Sequence, residues 1–293
     1  MLHILRLDRP IGCCRLLVPC VYCGCVPFVA FIPVWVVVTA ALLGGLMFGS
    51  FLNVCIARLP AHRSIVTPSS HCPRCGAPIR ACDNIPVLSW LWLHGRCRAC
   101  HARISIQYPL VELATAALFM ACVLHTGPVW QTLVDAVACF LLLGLAVMDW
   151  QTMLLPDTFT VTGIAVAFLL KVFAPGIRFH ARVAIRTLED AAIAAAMLLL
   201  VWALYRIVRR REGLGLGDVK LLAMMAAFMG LPLALFAYFV GVLSAALFAI
   251  VLLARHKARG SDRIPFGSFL AGAGILAIFA GKPAIAWYLS FYR

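Results

Sequence analysis

Two aspartates at the edges of apolar segments carry the chemistry this sequence can offer. Asp218 follows three glycines at spacing two, in Gly213-Leu-Gly215-Leu-Gly217-Asp218-Val-Lys220, and opens a strongly apolar helix-like run. A carboxylate beside a hydrocarbon phase is costly to hold and calls for a reason. Asp149, 69 residues earlier, closes the apolar run that ends Ala146-Val-Met-Asp149. Two carboxylates within hydrogen-bond range cannot easily both ionise, so one keeps a proton. The charged one can deprotonate a water while the neutral one hydrogen-bonds a peptide carbonyl. That is general acid–base peptide hydrolysis without a covalent intermediate. The competing reading makes each aspartate an interfacial or helix-end residue; two at matched depth, one of them in a Gly-x-Gly-Asp turn, favour the pair. Gly215 and Gly217 are expected in the active-site loop, where the lack of a side chain lets a substrate backbone approach. Asp157 is a rival partner, but it follows Pro156 and reads as the N-cap of the next helix. Glu112 could line a site, and Asp135 reads as a helix-end or packing residue.

A second constellation is Cys72-Pro-Arg-Cys75-Gly with Cys97-Arg-Ala-Cys100. Two Cys-x-x-Cys knuckles can supply four thiolates in a tetrahedron around Zn²⁺. Four protein ligands leave no coordination position for water, so this zinc is expected to be structural. A pair of disulfides is the alternative, disfavoured if the segment faces a reducing cytosol. Of the other cysteines, Cys55, Cys122 and Cys139 read as packing residues and Cys82 has no partner at ligand spacing. Cys13, Cys14, Cys20, Cys23 and Cys25 crowd the N-terminus without an interpretable pattern. Neither His-Glu-x-x-His nor Gly-x-Ser-x-Gly occurs.

The elements that must position these groups are hydrophobic. The 293-residue chain is 64% hydrophobic and 12% charged, with a mean hydropathy of +1.00. Soluble domains carry about 25% charged residues, so this is an all-α polytopic membrane protein. Apolar runs near 27–48, 108–124, 129–148, 159–173, 191–208, 219–230, 231–253 and 266–289 predict about eight transmembrane helices, with Pro232 separating the sixth from the seventh. The organisation is an extension at 1–26, a first segment at 27–60, a zinc-binding cytoplasmic insert at 61–107 and a membrane-embedded core at 108–293. The net charge of +14 fits cationic loops against anionic lipid rather than nucleic acid, because no aromatic-basic platform accompanies it. With the insert facing the cytoplasm, sixteen of the 25 cations fall inside, and both aspartates close their runs on that side. The misfit is the outer loop with Lys171, Arg178, Arg182 and Arg186.

The ordered motifs resemble a known family, the bacterial type IV prepilin leader peptidases, including those serving type II secretion. They comprise Gly49-Ser-Phe-Leu-Asn-Val54 with Arg58 and Pro60, the four cysteines, Asn84-Ile-Pro-Val-Leu-Ser-Trp90-Leu and Gly95-Arg-Cys97. Tyr108-Pro-Leu-Val-Glu112-Leu, Asp149 with Leu155-Pro-Asp157, and Glu212-Gly-Leu-Gly-Leu-Gly-Asp218-Val-Lys220 complete the set. The resemblance implies a Gly-x-Gly-Asp membrane aspartyl protease of the inner membrane with Asp149 and Asp218 as the catalytic pair and zinc on Cys72, Cys75, Cys97 and Cys100. It implies prepilins and pseudopilins as substrates, their short basic leaders cut after a glycine at the cytoplasmic face. It also implies N-methylation of the new N-terminal residue from S-adenosylmethionine, with Gly95 at a position linked to methyl transfer. Three positions depart from the family pattern: Asp83 for glutamate, Gln107 for arginine, and Ser268 for the second proline of a Pro-Phe-Gly-Pro element. The expected function is prepilin cleavage. The alternatives are an enzyme that is predominantly a methyltransferase, or a non-enzymatic transporter or assembly scaffold.

Overall fold

The computed structural model describes residues 33–176, 180–209, 215–255 and 264–291. Helix α1 covers Val34–Arg58, the short α2 Leu88–Trp92, α3 Gln107–Thr126, α4 Trp130–Thr152 and α5 Asp157–Val172. Helix α6 covers His180–Arg209, α7 Leu216–Met229 and α8 Leu231–Ala254, while α9, Phe266–Leu276, continues through a π-helical turn into α10, Lys282–Ser290. Each of the eight apolar runs is helical where it is described. Among the described residues, six spans are long and apolar enough to cross a membrane. At about 1.5 Å per residue, α5 and α7 reach roughly 24 and 21 Å, short of a ~30 Å hydrocarbon core.

Helix α7 is short because it is the centre of the molecule. Ten of its 14 residues, Asp218 and Val219 and then Leu221 to Phe228, are buried. It packs against α4, α5, α6, α8 and α9. A helix apolar all round, enclosed by others, has no need to span lipid by itself. Gly230 (φ +85°) ends α7, and Pro232 in the first turn of α8 separates the two as expected.

Helices α1 and α3 form a second close pair. Gly45 and Gly49 bring the α3 backbone so near that an added Cβ would lie 2.5 Å from the Ala116 Cα and 2.6 Å from the Glu112 Cα. This is the small-xxx-small contact that lets membrane helices approach.

Two boundaries differ from the apolar runs. Helix α1 continues past residue 48 to Arg58, so the family-type motif is its second half. Helix α6 starts at His180 rather than 191, carrying Arg182 and Arg186 as helical residues. Charged turns prolong a helix that hydropathy alone ends early. Lys171, in the last turn of α5, has the carboxylates of Asp190 and Asp135 as electrostatic neighbours, which accounts for a cation at that end. Arg178, and the cysteines of the N-terminal extension, lie outside the described residues.

Candidate active site and metal centre

Asp149 lies in the last turn of α4, where Met153 takes a left-handed conformation (φ +53°) and turns the chain toward α5. Its residue is 5% exposed. Oδ2 accepts the Ser268 backbone N–H at 2.7 Å and lies 3.1 Å from Ser268 Oγ. That hydroxyl is also 2.8 Å from the Ala146 carbonyl, so its single proton can serve either acceptor.

Asp218 is the third residue of α7 and 8% exposed. Its Oδ2 accepts the Gly215 N–H at 3.3 Å, the backward half of a capping box. The Gly-x-Gly-Asp turn is thus a helix start, with Gly215 as N-cap. A Cβ on Gly217 would lie 3.0 Å from Leu155 Cβ, and one on Gly267 would lie 2.9 Å from Leu155 Cδ1 and 3.0 Å from Asp149 Cγ. Leu155 is therefore held between the α7 turn and the start of α9, and both glycines are required by packing. The expected freedom at Gly217 is taken up by Leu155 rather than left as open backbone. The structure brings Asp149 and Asp218 into one electrostatic neighbourhood.

Asp157 is not the N-cap of α5; Pro156 is. The Asp157 carboxylate instead accepts from Lys220 Nζ at 2.6 Å, tying the start of α5 to the first turn of α7. Both partners are well exposed, 39% for Lys220 and 65% for Asp157. Such pairs contribute about 0–1 kcal/mol. Asp157→Asn should therefore cost at most about 1 kcal/mol of stability, measured as thermal unfolding in detergent.

The insert carries the four cysteines on two knuckles of one design. Cys72 N–H donates to the Ala77 carbonyl and Gly76 N–H to the Cys72 carbonyl; Cys97 N–H to Ala102 and His101 N–H to Cys97 repeat the pattern. The ligand atoms all lie within 4.8 Å of one another, with Cys72 Sγ and Cys100 Sγ 3.8 Å apart. Four sulfurs at Zn–S ≈ 2.3 Å in a tetrahedron stand about 3.8 Å from each other. A disulfide needs about 2.05 Å, and these cysteines are free thiols. The amides of Cys75 and Arg74 lower the Cys72 thiol to about 6. At Cys75 the Ala77 amide is outweighed by the neighbouring thiols, Cys100 first, and by desolvation, which push it up to about 11. A divalent cation removes that conflict. The cluster can hold a metal ion.

Glu112 is buried on α3, and its Oε2 accepts the Val87 N–H at 2.7 Å, with Ser50 as a further donor. Val87 is a β-branched residue at φ +60°, a strained conformation held by this contact. Glu112 forms one wall of a cavity of ≈ 1370 Å³ between the insert and α1 and α3, which Ser50, Asn53, Trp90 and Tyr108 also line. Gly95 (φ +64°) lies in the insert, apart from the aspartates in the chain; a Cβ there would meet the Trp90 ring at 2.9 Å. Asp83 pairs with Arg98, whose Nε donates at 2.9 Å and holds the carboxyl below its usual range. Asp135 accepts from Gln131 in the second turn of α4, at the end away from Asp149. Ser268 and Leu155 are the site residues that the two aspartates did not announce; their signals were Leu155's place in the Leu155-Pro-Asp157 motif and Ser268's departure from the Pro-Phe-Gly-Pro element.

Fold and site together define a multi-pass helical membrane protein with a buried aspartate pair at one end and a four-cysteine insert on the chain segments beside it. A profile described as the bacterial peptidase A24 N-terminal domain matches residues 43–126, and one described as the type IV leader peptidase family matches 136–250. The prepilin leader peptidase/N-methyltransferase of Aeromonas salmonicida is 38% identical over 288 residues, covering 87% of this chain and 95% of the relative. Proteins of the same name from Stutzerimonas stutzeri and Pseudomonas aeruginosa are 35% and 34% identical over 87% of this chain, covering 95% and 94% of themselves. The chain belongs to the type IV leader peptidase family. No solved structure matches it significantly.

Proposed function

We propose that this protein is a prepilin leader peptidase and N-methyltransferase of the bacterial inner membrane. It cuts the basic leader from prepilins or pseudopilins at the cytoplasmic face and methylates the new N-terminus. The observation that carries the reading is the burial of Asp149 and Asp218 in one electrostatic neighbourhood, where Leu155 packs against Gly217 and Gly267. In the pair, one carboxylate takes a proton from water as its oxygen attacks the scissile carbonyl. The protonated partner donates to the carbonyl oxygen, and the tetrahedral species collapses as the amine leaves with a proton. Gly215, whose added Cβ would lie 3.3 Å from Asp218 Oδ2, keeps a side chain away from the reacting carboxylate, while Gly217 makes room for Leu155.

Zinc on Cys72, Cys75, Cys97 and Cys100 supplies structure to the insert, since four thiolates leave no site for water. S-adenosylmethionine enters as the methyl donor, a substrate rather than a resident group, and the cavity walled by Glu112 and Trp90 is large enough for it. The test is the full-length chain in detergent with a prepilin and S-adenosylmethionine, followed by mass spectrometry of the product N-terminus. Uncut substrate would end the reading. Gly95→Ala forces Trp90 to shift, because the ring stands 2.9 Å from the new Cβ on a backbone at φ +64°. The expected product is cleaved pilin with methylation reduced at least about tenfold; full methylation would remove Gly95 from that step.

A further inference from the structure

We infer that Ser268 is a positioning residue that keeps Asp149 the charged, water-activating member of the pair and leaves the shared proton on Asp218. This rests on the aspartate-pair reading above.

Asp149 is not merely near α9; it caps it. Phe266, Gly267 and Ser268 form the first turn of that helix; the Phe266 amide donates to the Ile264 carbonyl at 2.8 Å, and the Ser268 amide is shared with the Pro265 carbonyl at the longer distance of 3.2 Å. The Asp149 carboxylate takes the Ser268 amide at 2.7 Å, and the Gly267 amide also donates to it. A helix N-terminus is a ready anion site. Ser268 Oγ, 3.1 Å from the same Oδ2, is a third donor within reach. Asp218 also stands at a helix start, so the two helix dipoles favour charge on both carboxylates and do not distinguish them. Donor number does. Among the described residues Asp218 has one donor, the Gly215 amide, at 3.3 Å. Hydrogen bonds to a carboxylate stabilise its charged form, and an amide hydrogen facing Oδ2 opposes a proton on that oxygen.

The other described charged groups on the helices that pack around α4 are engaged elsewhere. On α1, Arg58 donates to the Ser64 carbonyl; on α3, Glu112 accepts from Val87; on α5, Asp157 pairs with Lys220 of α7 and Lys171 faces Asp190 and Asp135. Among the described residues Asp218 is the charged neighbour that remains.

The step balances. A water O–H proton passes to Asp149 as its oxygen bonds to the carbonyl carbon, and Asp218 gives its proton to the carbonyl oxygen. On collapse the C–N bond breaks, Asp149 returns its proton to the amine, and Asp218 recovers one from a hydroxyl of the intermediate.

Three variants grade the donors: Ser268→Thr keeps both, Ser268→Ala loses the hydroxyl and Ser268→Pro loses amide and hydroxyl. Proline fits the first turn of a helix. The measurement is kcat against pH for a prepilin leader peptide cut by the full chain in detergent, with Asp149→Asn alongside. The acidic limb should move to higher pH by about half a unit in Ser268→Ala and about one unit in Ser268→Pro. That lowers the pH 6 to pH 8 activity ratio up to about tenfold, while Ser268→Thr keeps the parent profile. Unshifted limbs in both variants, or a loss uniform across pH, would overturn the inference. Cleavage by Asp149→Asn would instead overturn the aspartate pair itself.

Discussion

Asp218→Asn and Asp149→Asn should each reduce leader cleavage by at least about 10³-fold, with the protein still inserted in the membrane. General acid–base groups supply about 10²–10⁴ each, and the two carboxylates act on one water and one carbonyl. Groups that act as a unit are not additive, so the double variant should be no worse than either single one. Asparagine preserves the shape of each side chain. Its carbonyl oxygen can still accept the Ser268 amide at one site and the Gly215 amide at the other, so packing around Leu155 survives. What is lost is the ability to hold and pass a proton. The check is cleavage of a prepilin by each purified variant, with membrane extraction and size-exclusion profiles as the folding control. Turnover within tenfold of the parent in either variant would remove that residue from the chemistry.

Metal removal should have the second large effect, confined to the insert. Among the described side chains between Leu59 and Ile106, only Cys72 and Gly95 are buried. A segment of that length without an apolar core has little to fold around, and a structural zinc contributes about 10–16 kcal/mol to such modules. The expected result is about one zinc per chain in the parent by elemental analysis, and much less in Cys75→Ser. Chelation should open the insert to trypsin at Arg74, Arg80, Arg96, Arg98 and Arg103, while the membrane helices stay protected. A metal-free protein whose insert resists trypsin would contradict the role given to the four cysteines. Because Val87 donates to Glu112 across the insert boundary, methylation should fall with the metal before cleavage does.

The sequence by itself determined much of this protein. Hydropathy located eight helical runs because the bilayer imposes composition on whole segments. The knuckles were legible because metal ligation repeats at a spacing of three within one turn of chain. Asp149 and Asp218 stood out because isolated carboxylates at apolar edges are rare and costly. Helix boundaries were less legible. Arg58 and the charged start of α6 continue helices whose hydrogen bonds are indifferent to polarity, so a composition rule stops short.

Tertiary structure alone decided how these parts meet. The close approach of α1 and α3 at Gly45 and Gly49, the enclosure of α7 on all sides, and the ion pair between Asp157 and Lys220 each join distant chain segments. Above all it decided that Ser268, 119 residues beyond Asp149, presents its amide to that carboxylate, while the described donor to Asp218 is the Gly215 amide. A residue's type states which bonds it can make. Packing selects the one it does make, because a buried polar group costs free energy until a partner reaches it.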